Sequence, residues 1–293
     1  MNSKVPFVLT ALCASVGLAQ AQSVEVFGVL DVAYLRTTAT GSAKATSLST
    51  DSNTSSRLGF RGNEDLGGGM RASFWLEAAH SPDNGTGSVT NVNNQSSGQA
   101  SSPAGTQGFT FGRRSTVSLS GTSWGEIRLG RDYSPQFYPD AQYDPFGTNG
   151  VGTNIAFNKG GTTGVRASNS IGYLSPSFNG VKVWAQTYMG ENASTDGAKA
   201  GDGNAFRVSY DNGPLSVALA SSSTKTGLNV KNKTSNIGGS YDLGVAKLFA
   251  QTNKTKIDGA KDIKGGLFGA TAPVGAGTVR ASMSSTAQGD VKS

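Results

Sequence analysis

The sequence of 293 residues is poor in the side chains that build metal centres and covalent cross-links. It has one Cys and one His, whereas a zinc site normally takes more such ligands, so a His/Cys metal centre is excluded. A single Cys also excludes an intrachain disulfide framework. After the first 20 residues, no apolar run approaches the roughly 18 residues of a membrane-spanning helix. We expect no cofactor.

Glycine, in contrast, is abundant, with 41 residues, about twice its usual share of about 7%. These glycines follow no G-X-Y period, which excludes a collagen helix. Only 15% of the residues are charged, and 25 Lys+Arg stand against 19 Asp+Glu, so the chain is mildly basic. Its length fits one large β domain or two ordinary domains.

Residues 1–21 have the three parts of a secretory signal peptide: a basic start at Lys4, an apolar stretch, and the cleavage motif Ala19-Gln20-Ala21. Cleavage would remove Lys4 and the single Cys13, leaving 24 basic residues against 19 acidic ones and a net charge of +5. The segment predicts an exported protein with one domain over 22–293. An N-terminal core helix is the alternative.

Apolar and polar residues alternate along the rest of the chain, as where Leu58 and Phe60 alternate with Arg57 and Arg61. This period of two predicts strands with one apolar and one polar face, and no comparable stretch keeps a period of 3.6. The fold class is therefore predicted to be all-β. The pattern gives about 13 strands, near 23–36, 55–66, 70–79, 109–120, 125–132, 168–175, 181–189, 204–211, 215–223, 235–242, 245–254, 263–272 and 278–286.

Short and long connections alternate between these strands. The short ones have turn residues, such as Gly67-Gly68-Gly69, and the long ones are rich in Ser, Thr, Asn and Gly, at 37–54, 81–108, 134–165 and 190–203. Tight turns on one rim and long loops on the other are typical of outer-membrane barrels. The polar faces carry few large side chains that could fill a dry core, which favours a barrel wide enough to hold water.

Alternation alone does not distinguish this barrel from a soluble β structure, so an exported β-rich adhesin or surface structural protein stays as an alternative. An outer-membrane enzyme is a further alternative. It would need the one histidine, His80, as its base, and no nucleophile or acid lies near His80 in a recognisable motif. We therefore predict that the protein is not an enzyme.

Five segments resemble, in order, strands of Gram-negative general diffusion porins, in particular the branch found in Neisseria and Burkholderia. The segments are Ser23–Asp31, Ser56–Gly69, Phe111–Gly121, Gly125–Tyr133 and Asn169–Pro176. The resemblance runs in order from the signal peptide to about residue 285.

The resemblance implies a 16-stranded antiparallel transmembrane β-barrel in the outer membrane of a Gram-negative bacterium. It implies a homotrimer in contact with outer-membrane lipid and lipopolysaccharide, and a water-filled channel for small hydrophilic solutes and anions, with no nucleic-acid partner. With about 13 strands and no terminal aromatic residue after Gly289, the sequence predicts that about three further strands, including the closing one, lie beyond it.

The resemblance also implies a constriction where the third loop, 134–165, folds into the lumen. It places Arg57, Arg114 and Arg166 on the basic side, opposite Asp140 or Asp144 in the loop. Strand alternation independently puts Arg57 and Arg114 on the polar face, with Arg61 nearer the short-turn rim. Three arginines against two aspartates predict a weak anion preference.

Other charged and aromatic residues have open alternatives. Arg113 is either a rim charge or a pore-lining residue. Arg131 shares the face of Leu129, away from the lumen, and is expected to meet a neighbouring subunit or the loop 80–108. The tryptophans Trp75, Trp124 and Trp184 are expected in an interfacial aromatic girdle.

Overall fold

The structure, a computed structural model, describes residues 24–38, 44–98, 109–153, 161–193, 199–226 and 230–289, with the backbone of 291–292. The predicted signal peptide lies outside these ranges. No helix within them is long and apolar enough to cross a membrane.

The described chain is built almost entirely of strands, as the period of two predicts. Each of the 13 predicted strands is present, the first of them divided into β1 and β2, and three short strands (β3, β6 and β17) are additional. The strands are β1 Glu25–Val29, β2 Val32–Thr37, β3 Ala45–Thr50, β4 Arg57–Gly67, β5 Met70–Ser81, β6 Thr86–Gly87, β7 Arg114–Gly121, β8 Gly125–Tyr133, β9 Arg166–Leu174, β10 Val181–Tyr188, β11 Gly203–Asn212, β12 Leu215–Lys225, β13 Lys231–Asp242, β14 Lys247–Ile257, β15 Ile263–Val274, β16 Gly277–Gln288 and β17 Val291–Lys292. Within the described ranges there is one short α-helix, α1, at Phe137–Gln142, together with 3-10 turns at Ser96–Gly98 and Gly161–Thr163.

The strands form one antiparallel sheet in which nearly every strand pairs with its neighbour in sequence. Its order is β1-β4-β5-β7-β8, then β9 to β17 in sequence, with β6 on β5, while β2 and β3 form a separate hairpin. Because successive strands alternate in direction, all the long connections reach the same rim. The all-β, antiparallel prediction is confirmed.

Compared with a soluble β protein, the two faces of the sheet have exchanged exposure: the apolar face is exposed and the polar face is buried. Leu58, Leu119 and Leu129 are 37%, 42% and 44% exposed, whereas Thr116 on β7 and Asn253 on β14 are 4% and 1% exposed. A water-soluble sandwich would bury the leucines and expose the polar side chains. This burial pattern is the one expected where lipid covers the outer face and polar groups line the inside.

Two of the three tryptophans contradict the girdle prediction. Trp184 is 6% exposed, and its ring lies against that of Tyr138 on α1, at 5.2 Å between centroids. Trp75 donates its indole N–H to the buried Glu77 at 2.9 Å. Both point inward, because each lies two residues before an inward polar residue, Glu77 or Gln186. The inward direction of the two side chains follows from their positions in the strand alternation. Their closeness to strand ends does not predict it.

Candidate pore constriction

Helix α1 follows β8 and lies inside the sheet, against the inward faces of β12, β13 and β14. Asn236 of β13 donates to the backbone oxygen of Gln136 at 2.7 Å, and Gln251 of β14 donates to that of Asp140 at 3.2 Å. At the other end of the helix, Gln142 donates to Ser216 of β12 at 3.0 Å. Neutral amides and a hydroxyl hold the helix to these three strands, and Arg207 of the neighbouring β11 also donates to Gln142, at 2.7 Å.

The carboxylate of Asp140 lies on the face of α1 that contacts this wall. It accepts hydrogen bonds from Asn236 at 2.7 Å, from Asn253 at 3.2 Å and from Gln136 at 3.1 Å. Asp140 is 1% exposed. Burial raises its pKa to about 7, although the three amide donors favour the ionised form and lower it. A role for this carboxylate in selecting ions stays a prediction.

Two glycines make room for the loop on the same side. A Cβ at Gly238 of β13 would lie 2.6 Å from the ring of Tyr143, and one at Gly269 of β15 would lie 2.5 Å from Pro145. Tyr143 is fully buried, with its hydroxyl 3.0 Å from Ser216. A larger residue at Gly238 would therefore push the loop away from the wall, whereas one at Gly269 would also meet the backbone oxygen of Ala281 on β16, at 2.7 Å.

Asp144 holds the turn that follows the helix. Its carboxylate accepts hydrogen bonds from the backbone N–H groups of Phe146 at 2.9 Å and Thr148 at 3.1 Å. The loop then reaches the opposite side, where the backbone N–H of Gly150 donates to the backbone oxygen of Asp51 at 3.1 Å. The loop therefore bridges the inside of the sheet from β13 to the segment before β4.

Three arginines face the helix across a cavity of about 400 Å³. They are Arg57 at the start of β4, Arg113 just before β7, and Arg166 at the start of β9. The opposite side of the cavity is formed by residues of the loop, namely Phe137, Tyr138, Ala141, Gly147, Thr148 and Asn149. Of the predicted residues, Arg57 and Arg166 thus line one space with the loop.

Tyr133, at the end of β8, positions two of these guanidinium groups. Its hydroxyl accepts hydrogen bonds from Arg113 and from Arg166, both at 2.8 Å. The guanidinium of Arg166 also lies over the Tyr133 ring, 4.4 Å from its centroid, a favourable cation–π arrangement. The same ring stacks on Phe137 of α1 at 5.7 Å between centroids, so the arginines and the helix share one aromatic support.

Two buried carboxylates stand among the arginines of this wall. Glu77 of β5 pairs with Arg113 and lies 3.9 Å from Arg57. Asp132 of β8 lies 2.7 Å from Arg128 and 3.6 Å from Arg114.

Arg114 also lies over the ring of Trp75, at 4.7 Å from its centroid. Arg128 bonds to Glu126 on its own strand at 2.9 Å. The predicted Arg114 thus belongs to a charge network next to the cavity.

Arg61 lies one strand repeat nearer the short-turn rim, as predicted. It forms a two-pronged bond with Glu25 on β1, at 2.7 and 2.8 Å. Its guanidinium is also 5.0 Å from the ring of Trp75. The pair is partly exposed, with 41% and 52% of the two side chains accessible.

The sequence reasoning left Arg113 open and did not single out Asp132. Asp132 lies four positions after Arg128 on the same strand, so strand alternation predicts that both side chains point into the lumen. Arg113 lies before the regular part of β7, where alternation gives no information. The expected contact of Arg131 with the loop 80–108 is confirmed, because it donates to the backbone oxygen of Asn91 at 3.2 Å.

An antiparallel sheet with an apolar outer face, a charged inner face and a loop folded inside defines the class of membrane-spanning β channels. A family model described as Gram-negative porin matches residues 8–293. The chain belongs to the Gram-negative porin family, and it is an outer-membrane protein. Proteins of this family are channels and not enzymes.

Individual relatives of the chain are also outer-membrane porins. The chain is 39% identical over 290 residues to outer membrane porin protein 32 of Delftia acidovorans, covering 93% of this chain and 76% of the relative. It is 30% identical to an outer membrane porin protein of Bordetella pertussis, of which it covers 50%.

Among solved structures, it resembles the anion-selective porin from Comamonas acidovorans, with a TM-score of 0.77 and 35% identity over 93% of this chain and 81% of that one. OmpT of Vibrio cholerae shares the fold, with a TM-score of 0.60 at 13% identity, over 92% of this chain and 78% of that one.

Proposed function

We propose that this porin is a passive channel for small hydrophilic solutes with a weak preference for anions, and that it carries out no catalytic step. The observation that carries this proposal is the cavity between the loop and Arg57, Arg113 and Arg166. A permeating ion there would meet guanidinium groups on one side and aromatic and backbone groups on the other.

The charge balance around the cavity supports the sign of the preference. Five arginines lie on this wall together with three carboxylates, which leaves two more positive than negative charges; they are Arg57, Arg113, Arg114, Arg128 and Arg166 with Glu77, Asp132 and Glu126. The similar structure from Comamonas acidovorans is described as anion-selective.

In this proposal Asp140 and Asp144 hold the loop in place. Asp140 bonds to amides of the opposite wall and Asp144 to its own turn. Arg57 and Arg166 line the narrowest part of the lumen, Arg114 lies next to it, and Arg61 adds a paired charge nearer the short-turn rim.

The test is the zero-current potential of the reconstituted protein across a KCl gradient. Arg57→Gln with Arg166→Gln keeps the Arg113–Glu77 pair and should reduce the anion-to-cation permeability ratio by roughly fivefold or more, because one charge at 4 Å in a water-like medium is worth about 1 kcal/mol. The difference should shrink at 1 M salt, where the Debye length is about 3 Å. A cation-selective potential in the unmodified protein at low salt would contradict the proposal.

The matched control removes two exposed lysines on the outer face of the sheet, Lys231→Gln with Lys256→Gln. It changes the net charge equally and should leave the permeability ratio unchanged. An equal shift in both variants would mean that total charge, and not the cavity, sets the preference.

We further propose that residues 1–21 are removed on export, that 22–293 form one porin domain, and that the protein assembles as a homotrimer surrounded by outer-membrane lipid and lipopolysaccharide. Intact-mass measurement of protein from the outer membrane would detect the cleavage. Migration in gels with and without heating, together with chemical cross-linking, would detect the trimer. A monomeric cross-linking pattern would contradict the assembly.

A further inference from the structure

The cavity beside α1 has two chemically different sides. Guanidinium groups form one of them, and the aromatic rings of Tyr133, Phe137 and Tyr138 lie among the residues that line the rest. Its volume of about 400 Å³ is within the range of about 300–1,000 Å³ of small-molecule sites. Inorganic ions need no aromatic surface. The combination therefore fits a solute that has both an anionic group and a flat apolar body.

The three arginines of the cavity are not equally balanced by carboxylates. Arg113 pairs with Glu77, and Arg57 lies 3.9 Å from the same carboxylate. Within the described part of the chain, no carboxylate forms an ion pair with Arg166, whose guanidinium donates to the hydroxyl of Tyr133 instead. The carboxylate of a solute would therefore meet a cation that has no internal counter-charge.

The aromatic side of the cavity is an ordered corner. Tyr133 stacks on Phe137 with 6° between the ring planes, and Tyr138 meets Tyr133 edge-on at 82°, with 5.9 Å between centroids. Tyr138 is 41% exposed, although it lies inside the sheet and away from the lipid-facing side. Aromatic rings in offset or edge-to-face contact attract each other beyond the area that they bury. The exposed part of Tyr138 thus offers a contact to a further ring.

Guanidinium groups and aromatic rings also lie together beyond the cavity. Arg207 of β11 lies over the ring of Tyr138, at 5.2 Å from its centroid, and the Tyr138 ring contacts that of Trp184 at 5.2 Å. Arg128 lies over the ring of Trp184 at 5.9 Å. A planar anion that leaves the cavity would therefore meet the same two kinds of group again.

We propose that this cavity binds aromatic carboxylates, with the carboxylate on Arg166 and the ring against Tyr138, and that the channel favours them over aliphatic carboxylates of equal charge and size. The proposal rests on the proposed anion preference and names the class of anion that the same cavity retains. Guanidinium groups match carboxylates with two-pronged hydrogen bonds and stack on aromatic faces. A site of this kind would attract the solute and still release it, as conduction requires.

The test compares two acids as inhibitors of the chloride current through the reconstituted full-length chain. Benzoate and cyclohexanecarboxylate have the same charge and nearly the same size, and only benzoate has an aromatic ring. We expect benzoate to halve the chloride current at a concentration about fivefold lower, because ring contacts add to the effect of the buried area. Equal half-inhibiting concentrations of the two acids would overturn the proposal.

Two positions separate the two halves of the site. Tyr138→Leu keeps an apolar side chain without a ring and should reduce the difference between the acids to less than about twofold, whereas Tyr138→Phe should retain it. Arg166→Gln should weaken the inhibition by both acids by roughly tenfold, because it removes the cation that they share. An unchanged difference between the acids in Tyr138→Leu would overturn the proposal.

The matched control is Tyr241→Leu, which removes a tyrosine that is 47% exposed on the outer face of β13, and it should leave the inhibition by both acids unchanged. An equal loss of the benzoate preference in this control would overturn the proposal. The zero-current potential in KCl is measured in the same bilayers. An anion-selective potential with equal inhibition by the two acids would overturn this proposal alone, whereas a cation-selective potential would overturn the proposed channel preference as well.

Discussion

The two sides of the lumen that face the loop differ in chemistry. The arginine wall, from β4 to β9, carries Arg57, Arg113, Arg114, Arg128 and Arg166 with buried carboxylates among them. The amide wall, on β13 and β14, carries Asn236, Gln251 and Asn253 and touches α1 through neutral hydrogen bonds. Charge is concentrated where the cavity lies, whereas the loop is attached to the other wall mainly by neutral donors, with Arg207 of β11 as the one charged donor among the described contacts of α1.

This difference has a physical reason. Guanidinium groups keep their charge at all working pH values and are oriented by carboxylates and aromatic rings, so they present a fixed field to a passing ion. Amides form short-range hydrogen bonds without a long-range field. An attachment built from them therefore fixes the loop while leaving the electrostatics of the cavity to the other wall.

The largest expected effect comes from breaking the arginine wall at Glu77. Glu77→Gln leaves Arg57 and Arg113 without their carboxylate, and it should lower the free energy of unfolding by about 3 kcal/mol. This value is at the low end for the loss of one partner of a buried ion pair, because water in the lumen screens the charges. Thermal unfolding in detergent measures this loss, and anion preference should rise at the same time. Unchanged stability would mean that these arginines do not depend on Glu77.

The second prediction breaks the attachment of the loop to the opposite side. Gly238→Ala places a methyl group against the ring of Tyr143, and such overpacking should cost about 1–3 kcal/mol or displace the loop. Single-channel conductance should then increase. The control is Gly266→Ala on β15, where the nearest neighbour of a new Cβ is the Gln251 backbone oxygen at 3.3 Å; equal behaviour of the two variants would contradict the close fit.

The third prediction uses the raised pKa of Asp140. The folded protein holds the carboxyl of Asp140 protonated up to about pH 7. The contribution of this carboxyl to stability is therefore fully present below about pH 4, which is its pKa in the unfolded chain. It is lost as the pH rises through about 7, by at most about 1.4 kcal/mol per pH unit. Thermal unfolding of Asp140→Asn, compared with the unmodified protein from pH 4 to 8, should lack this component. Parallel pH profiles would refute it.

The smallest effect is expected at Arg61, and it distinguishes this arginine, nearer the short-turn rim, from the arginines around the cavity. Its bond with Glu25 is partly exposed, and exposed ion pairs contribute little to stability. Arg61→Gln should leave thermal unfolding unchanged and should shift the zero-current potential less than Arg114→Gln does. A larger shift at Arg61 would place the narrowest part of the channel nearer the short-turn rim.

The sequence alone determined the strands and the face on which each side chain lies, because strand alternation is local and each position follows from its neighbour. For this reason the positions of the 13 predicted strands and the inward direction of Arg57, Arg61 and Arg114 follow from the sequence. The inward direction of Trp75, Trp184 and Asp132 is contained in the same pattern.

Only the tertiary structure decided which groups meet across the lumen. Asn236 and Asn253 lie 96 and 113 residues beyond Asp140, and no local pattern connects them. The same holds for the space that Gly238 gives to Tyr143. A period of two fixes the face of a residue, whereas its partner is fixed by how the strands pair and how the loop folds between them.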